Sequence, residues 1–84
     1  MPGMTADQVR SQIERALPGA IVEVRSDDDV HFAARVVAAQ FAGLRTIARH
    51  QLVYRSLGDA VGREIHALSL ETPTPDEWAR QRAG

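Results

Sequence analysis

Three consecutive aspartates, Asp27 to Asp29, separate two apolar runs and constrain the fold more than any other feature of the sequence. Adjacent carboxylates resist burial, so the segment that carries them is predicted to be an exposed turn. The run Ile21–Arg25 precedes this turn and the run His31–Ala39 follows it, and both favour strands. Two strands joined by so short a polar turn are predicted to pair as an antiparallel hairpin.

The segment before the hairpin has the periodicity of an amphipathic helix, predicted from Thr5 to Leu17. Gln8 follows Thr5 by three residues, which is the spacing of a capping box at a helix start. Pro18 and Gly19 are expected to end the helix. Its apolar stripe consists of Val9, Ile13, Ala16 and Leu17.

After Gly43 the apolar spacing changes to three and four residues, which predicts a helix from about Arg45 to Val61. This helix can break once into a short and a longer piece, and Gly62 closes it. A third strand is predicted at Ile65–Leu70. One face of that strand carries Ile65, Ala67 and Ser69, and the other carries His66, Leu68 and Leu70.

The last helix is predicted to begin at Thr74, with Pro75 at its first position and acidic residues in its first turn. Trp78 is expected to fold back on the body of the domain. The residues predicted to be mostly buried are Val22, Val24, Phe32, Val36, Val53, Leu57, Ile65 and Trp78.

The order is therefore helix, strand, strand, one or two helices, strand and helix, which is an α+β fold with a three-stranded sheet. The 84 residues suffice for a single domain, with its core at about 5–82 and short flexible termini. So short a chain has room for one modest core and for no deep, enclosed active site.

The composition excludes several functions. The chain has no cysteine, so it offers neither disulfides nor thiol chemistry of its own. Its net charge of −1 argues against strong, non-specific attraction to nucleic acid. No apolar run could span a membrane and no signal peptide is evident, so the expected location is the cytoplasm. Because no catalytic constellation is present, the protein is not expected to be an enzyme.

The second half of the chain resembles the BolA family in an ordered set of motifs. These are His31-Phe32, Phe41-x-Gly43, Arg49-His50 with Val53-Tyr54 and Leu57, Ile65-His66-Ala67-Leu68, and Thr74-Pro75-x-Glu77-Trp78. The resemblance spans about residues 5–82. It implies a class II KH-like fold of order αββααβα, in which helices pack on one side of a mixed three-stranded sheet.

The resemblance also implies partners and a cofactor. BolA-like proteins form heterodimers with monothiol glutaredoxins and can share a [2Fe–2S] cluster with the glutaredoxin and glutathione. On this basis we expect the isolated chain to bind no cofactor and to be a monomer or a weak homodimer. Some family members have been proposed as DNA-binding transcriptional regulators, which is the alternative function.

His66 is the first candidate ligand. From the residues alone, a histidine in the middle of an apolar strand is either a satisfied core residue or a metal ligand. The resemblance implies the second role, since the Ile-His-Ala-Leu strand is similar to the segment that carries the family's cluster ligand. A neutral imidazole can replace thiolate on one iron of such a cluster.

The second ligand is where the sequence departs from the family pattern. BolA-like proteins commonly place a cysteine or histidine in the loop between the first two strands, and the loop 26–30 has neither. His31 is the nearest candidate, although it also resembles a His-Phe pair kept for structural reasons. Asp29 is a poorer candidate because hard oxygen donors suit an iron–sulfur cluster less well.

Three arginines, Arg45, Arg49 and Arg55, are predicted to make the outer face of the long helix basic. They could contact DNA phosphates and bases, or they could simply be solvated. The chain lacks the Gly-x-x-Gly loop with which KH domains clamp nucleic acid. His50 is expected to have a packing or helix-surface role. The cleft between the third strand and the long helix is the predicted contact surface for a glutaredoxin, with Arg80–Arg82 adding charge.

Overall fold

The described part of the chain, residues 3–83 of this computed structural model, folds in the predicted order of helices and strands. The elements are α1 Ala6–Ala16, β1 Ile21–Arg25, β2 His31–Val37, α2 Thr46–Leu57, β3 Ala67–Glu71 and α3 Pro75–Ala83. Short 3-10 turns at Ala39–Phe41 and Gly58–Ala60 flank α2. The α+β class and the order αββααβα are thus confirmed. Short flexible termini were predicted outside about 5–82, and of these positions residues 1, 2 and 84 lie outside the described residues.

The sheet is mixed, with strand order β1-β2-β3. β1 and β2 form the predicted antiparallel hairpin, in which Ile21 lies opposite Val37. β3 runs parallel to β2, and His31 lies opposite Ala67. A parallel connection needs a long crossover, which α2 supplies. In this strand order β3 lies at one edge of the sheet.

α1 and α2 cover one face of the sheet and enclose the core. The buried residues that form this core are Val9, Ile13, Leu17, Val22, Phe32, Val36, Ala38, Phe41, Val53, Leu57 and Ile65. Six of the eight residues predicted to be buried are among them. The other two, Val24 and Trp78, are only half-buried. Trp78 does not enter the core and instead packs on the guanidinium of Arg35 on the opposite face of the sheet. The Arg35 Cζ lies 4.2 Å from the centroid of the Trp78 ring.

The capping box predicted for α1 is present. The Gln8 amide donates to the Thr5 hydroxyl at 3.2 Å, and the Thr5 amide donates to the Gln8 side chain at 2.9 Å. These two bonds satisfy main-chain donors that have no partner inside the helix. Val9 and Ile13 of the predicted apolar stripe are then directed into the core.

Three predicted boundaries were wrong. β2 ends at Val37 and not at Ala39, because the chain turns there into a 3-10 segment. α2 ends at Leu57 and not near Val61, because Gly58 has a φ of +57° that breaks the helical path. β3 begins at Ala67, two residues later than predicted.

The predicted faces of the third strand were wrong at its start. Ile65 does not share a face with Ala67, since Ile65 precedes the strand, bridges Val61 and is buried, whereas Ala67 is exposed. His66 likewise lies before the strand and not in its middle. The alternation holds only from Ala67 onward, where Leu68 and Leu70 are half-buried and pack against the core. None of the helices within residues 3–83 is long and apolar enough to cross a bilayer.

Candidate partner-binding site at the edge of the third strand

His66 lies on the surface at the point where the chain enters β3. Its side chain is exposed and borders a depression that is also lined by Tyr54 of α2 and Leu68 of β3. The main chain of His66 is held in place, because its amide donates to the Val30 carbonyl at 2.9 Å. The position of the imidazole is thus anchored through the backbone while the ring stays open to a partner. The alternative prediction, that His66 is a hydrogen-bonded core residue, is wrong because the residue is exposed.

His31, the candidate second ligand, begins β2 and is exposed. Its Nδ1 lies 2.7 Å from Oδ2 of Asp28, whose Oδ1 also accepts the main-chain amides of Val30 and His31. The amide of His31, then its side chain, hold the pKa of the Asp28 carboxyl well below its ordinary value of 3.8. Carboxylates often orient metal-binding histidines in this way, with the second ring nitrogen left for the metal.

The pairing of β2 with β3 brings the main chains of His31 and His66 close together, but their side chains have different surroundings. His31 lies opposite Ala67, and His66 is the residue before Ala67. The His31 side chain lines a depression with Ala33 and Ser69, and this depression meets that of His66 only at Ala67. Within residues 3–83, no three His, Asp or Glu side chains gather in a group that could hold a metal ion. Each of the two histidines is therefore a single exposed imidazole outside any such group in this part of the chain.

Arg49, which was predicted to lie on a basic surface, is mostly covered and bonded within the domain. Its side chain is only 14% exposed and donates to the main-chain carbonyls of Leu44 and Thr72, each at 2.9 Å. It also forms two bonds to the carboxylate of Glu77 in α3, at 2.6 and 3.3 Å. Arg49 therefore joins α2 to β3 and α3, and few of its donors remain for a phosphate.

Arg49 and Glu77, together with the main chain of Thr72 and Thr74, form what is called the clamp below. The Thr74 amide donates to Glu77 Oε1 at 2.9 Å, and the Glu77 amide donates to the Thr74 hydroxyl at 3.2 Å. Arg49 first, and the Thr74 amide second, lower the pKa of Glu77 from its ordinary value of 4.5 to about 2. Sequence reasoning missed this role, although the spacing Thr74-x-x-Glu77 is the same capping-box signal that was read correctly at Thr5.

Arg45 and Arg55 are exposed, as predicted, but they do not form one face with Arg49. Arg45 is the N-cap of α2 and Arg55 lies in its last turn. Ten residues of helix separate them by roughly 15 Å along the axis. The described structure therefore offers two separate cations on α2, and not a compact patch.

The fold of the described residues defines a class of small α+β domains in which three helices accompany a mixed three-stranded sheet. A family model for BolA-like proteins matches residues 11–77, so the chain belongs to the BolA family. Among solved structures, a BolA homologue from Coxiella burnetii superimposes with a TM-score of 0.81 and 40% identity, covering 92% of this chain and 99% of that one. The BolA domain of SufE1 from Arabidopsis thaliana gives a TM-score of 0.79 and 30% identity, with coverages of 92% and 99%.

Curated relatives differ in length and in description. Human BolA-like protein 2 is 35% identical over 94% of this chain and 95% of its own length. Human BolA-like protein 1 is 32% identical over 83% of this chain, which spans only 58% of that relative. The DNA-binding transcriptional regulator BolA of Vibrio cholerae is 50% identical over 48 residues, 57% of this chain and 45% of that protein. The family thus includes proteins described as DNA-binding regulators, and the BolA fold also occurs as a domain of SufE1.

Proposed function

We propose that this protein is a non-catalytic adaptor that binds a monothiol glutaredoxin and helps to hold or transfer a shared [2Fe–2S] cluster in iron homeostasis. The observation that carries the proposal is His66, an exposed imidazole anchored at the rim of a depression between α2 and β3 in a BolA-family chain. The partner, the cluster and the role of glutathione rest on the family resemblance.

The residues present fit one side of such a site. A neutral imidazole is a suitable ligand to one iron of a two-iron cluster, and replacing thiolate by imidazole raises the reduction potential. His66 is exposed and can supply this ligand to a partner that approaches β3. The chain has no cysteine, so the thiolates come from the glutaredoxin and glutathione.

His31 is the proposed second ligand from this chain. Asp28 engages Nδ1 and fixes the orientation of the ring, which leaves Nε2 for iron. Because His31 and His66 flank Ala67 from different depressions, a partner that used both would have to cover this end of the sheet. Because each histidine lies in its own depression, substituting one should leave the surroundings of the other unchanged.

The test is the visible circular dichroism spectrum of the protein mixed with a monothiol glutaredoxin, glutathione, iron and sulfide. The wild-type mixture should give a spectrum that differs from that of the glutaredoxin homodimer. His66→Ala should abolish the difference, whereas His66→Cys should restore a distinct spectrum because a thiolate replaces the imidazole. His31→Ala should weaken the difference only if His31 is a ligand. A wild-type mixture with the homodimer spectrum would refute the proposal.

DNA binding is the second candidate function, favoured by the description of the Vibrio cholerae relative and by the exposed Arg45 and Arg55. If this function holds, an Arg45→Ala/Arg55→Ala variant should lose most binding in fluorescence anisotropy at low salt. Added salt should also weaken binding, since phosphate contacts release counterions. Arg49 is unsuitable for this test because its loss would disturb the fold. Absence of binding at high micromolar protein would exclude this function.

A further inference from the structure

β3 is an edge strand whose outer main-chain groups can be identified from the register. The Ala67 amide donates to the Val30 carbonyl at 3.5 Å, and the Ala38 amide donates to the Pro73 carbonyl at 3.2 Å. Alternate residues of a strand direct their main-chain groups to opposite sides. Residues 67, 69 and 71 therefore pair with β2, and the amides and carbonyls of Leu68 and Leu70 face away from the sheet.

Two separate depressions lie along this outer edge, each lined by residues of both α2 and β3, and together they are called the groove below. At one end Leu68 and Tyr54 line the depression that His66 borders. At the other end Leu70 and His50 line a second depression. Two carboxylates also line it, and each is paired, Glu71 with Arg35 and Glu77 with Arg49. The Thr72 carbonyl, which also faces outward, is already bonded to Arg49 and closes the groove there. The open edge thus consists of the donors and acceptors of Leu68 and Leu70, in line with His66.

The helix wall of the groove exposes apolar surface. Ile47 is 70% exposed and Tyr54 is 38% exposed. They are seven residues apart, so they lie on the same line of α2. In β3, Leu68 shares a depression with Tyr54, and both Leu68 and Leu70 are half-buried. An occupant with apolar side chains on one face would contact Tyr54, Leu68 and Leu70, and a longer one would reach Ile47 along the same line of α2.

The charge of α2 indicates the complementary charge of the occupant. The helix contains no acidic residue. Glu77 neutralises Arg49, whereas Arg45 and Arg55 are exposed at its two ends. Electrostatic attraction reaches about 8 Å at physiological salt, so these cations act on a segment that lies along the helix.

We propose that an extended, acidic segment of a partner protein adds to the sheet as a fourth strand, pairing with Leu68 and Leu70 in the groove beside α2. A peptide supplies both donors and acceptors to a strand edge, whereas nucleic-acid phosphates only accept. The inference rests on the proposed function in one respect, namely that the α2–β3 groove is the partner-binding surface. It adds the form and charge of the segment that binds there.

The test uses the full chain and the blocked peptide Glu-Val-Glu-Val-Glu-Val-Glu, without iron or glutaredoxin. Saturable binding should shift the backbone amide resonances of Leu68 and Leu70 in NMR titrations. The matching Lys-Val peptide should bind at least about tenfold more weakly. The Glu-Val peptide methylated on every nitrogen should not bind, because it cannot donate to the edge. Equal binding of the methylated peptide, or shifts confined to β1, would overturn the proposal.

Two exposed isoleucines give a matched pair of variants. Ile47→Ser should weaken binding of the Glu-Val peptide about tenfold, whereas Ile21→Ser on β1 should leave it within about twofold. Neither residue is buried, so both variants should fold. If the chain shares a cluster with a glutaredoxin but does not bind the peptide, strand addition fails and the proposed function stands. If the peptide binds at Leu68 and Leu70 but no cluster is shared, the proposed function fails and strand addition stands.

Discussion

The two ends of β3 are built in opposite ways. At the end near Thr72, the Arg49 guanidinium bonds to two carbonyls and a carboxylate and is 14% exposed. At the end near Ala67, His66 is held by the bond from its main-chain amide to Val30, and its ring remains exposed. A polar group whose partners lie within the domain stabilises the fold. A polar group that is positioned but left exposed, as His66 is, adds little to the stability of the fold and is accessible to another molecule.

The largest expected effect is the loss of stability when the Arg49 side chain is removed from the end of β3 near Thr72. Arg49→Ala should lower the free energy of unfolding by about 2–3 kcal/mol, because it leaves the Thr72 carbonyl and the Glu77 carboxylate without their charged donor. Urea unfolding followed by far-UV circular dichroism measures the change. Arg55→Ala removes an exposed arginine from the same helix and should change stability by no more than about 0.5 kcal/mol. Equal losses in the two variants would show that the clamp is not structural.

The clamp should also make the protein sensitive to acid. The pKa of Glu77 is depressed in the fold from 4.5 to about 2, so the unfolded chain binds this proton first as the pH falls. The stabilisation is therefore complete above pH 4.5 and is lost progressively toward pH 2. In thermal melts over this range, Glu77→Gln should show a shallower fall in Tm than the wild type. Asp76→Asn, its neighbour in α3, should follow the wild-type profile.

A smaller effect is expected at the turn that orients His31. Asp28→Asn keeps an acceptor for the main-chain amides but loses the charged oxygen that contacts the His31 ring. The Tm should fall by less than in Arg49→Ala, and the His31 ring should become more mobile in NMR relaxation measurements. Asp27→Asn, an exposed neighbour in the turn, should leave both quantities unchanged. A rigid His31 ring in Asp28→Asn would refute the orienting role.

The smallest effect on stability is expected at His66. His66→Ala should change the free energy of unfolding by no more than about 0.5 kcal/mol, since the side chain is exposed and its amide bond to Val30 is retained. Urea unfolding of this variant beside Arg49→Ala measures the contrast directly. A loss above about 1.5 kcal/mol would place His66 among the structural residues and remove the distinction between the two ends of β3.

Local signals in the sequence predicted most of the fold. The aspartate turn predicted the hairpin, and β1 lies where it was predicted, at Ile21–Arg25. The spacing of Thr5 and Gln8 predicted the start of α1. The predicted ends of elements were wrong where the backbone conformation of a single residue sets the end. Gly58 is an example, since its φ of +57° ends α2.

The site was harder to predict because it depends on contacts between distant residues. Arg49 and Glu77 are 28 residues apart, and no periodicity reveals that they pair. Arg49 therefore looked like a surface residue of a basic face. His66 was expected within a strand, whereas the Val61–Ile65 bridge delays β3 and leaves His66 exposed before it. Its proposed role came from the family motif, since spacing alone left a core role open.

The most direct test of the proposed adaptor role is native mass spectrometry of the protein reconstituted with a monothiol glutaredoxin, glutathione, iron and sulfide. The wild type should give a one-to-one heterocomplex whose mass includes one [2Fe–2S] cluster and glutathione. His66→Ala, which should be as stable as the wild type, should give only free chain and the glutaredoxin homodimer that retains the cluster. A wild-type sample that also contains only free chain and homodimer, or a His66→Ala heterocomplex that retains the cluster, would contradict the role assigned to His66.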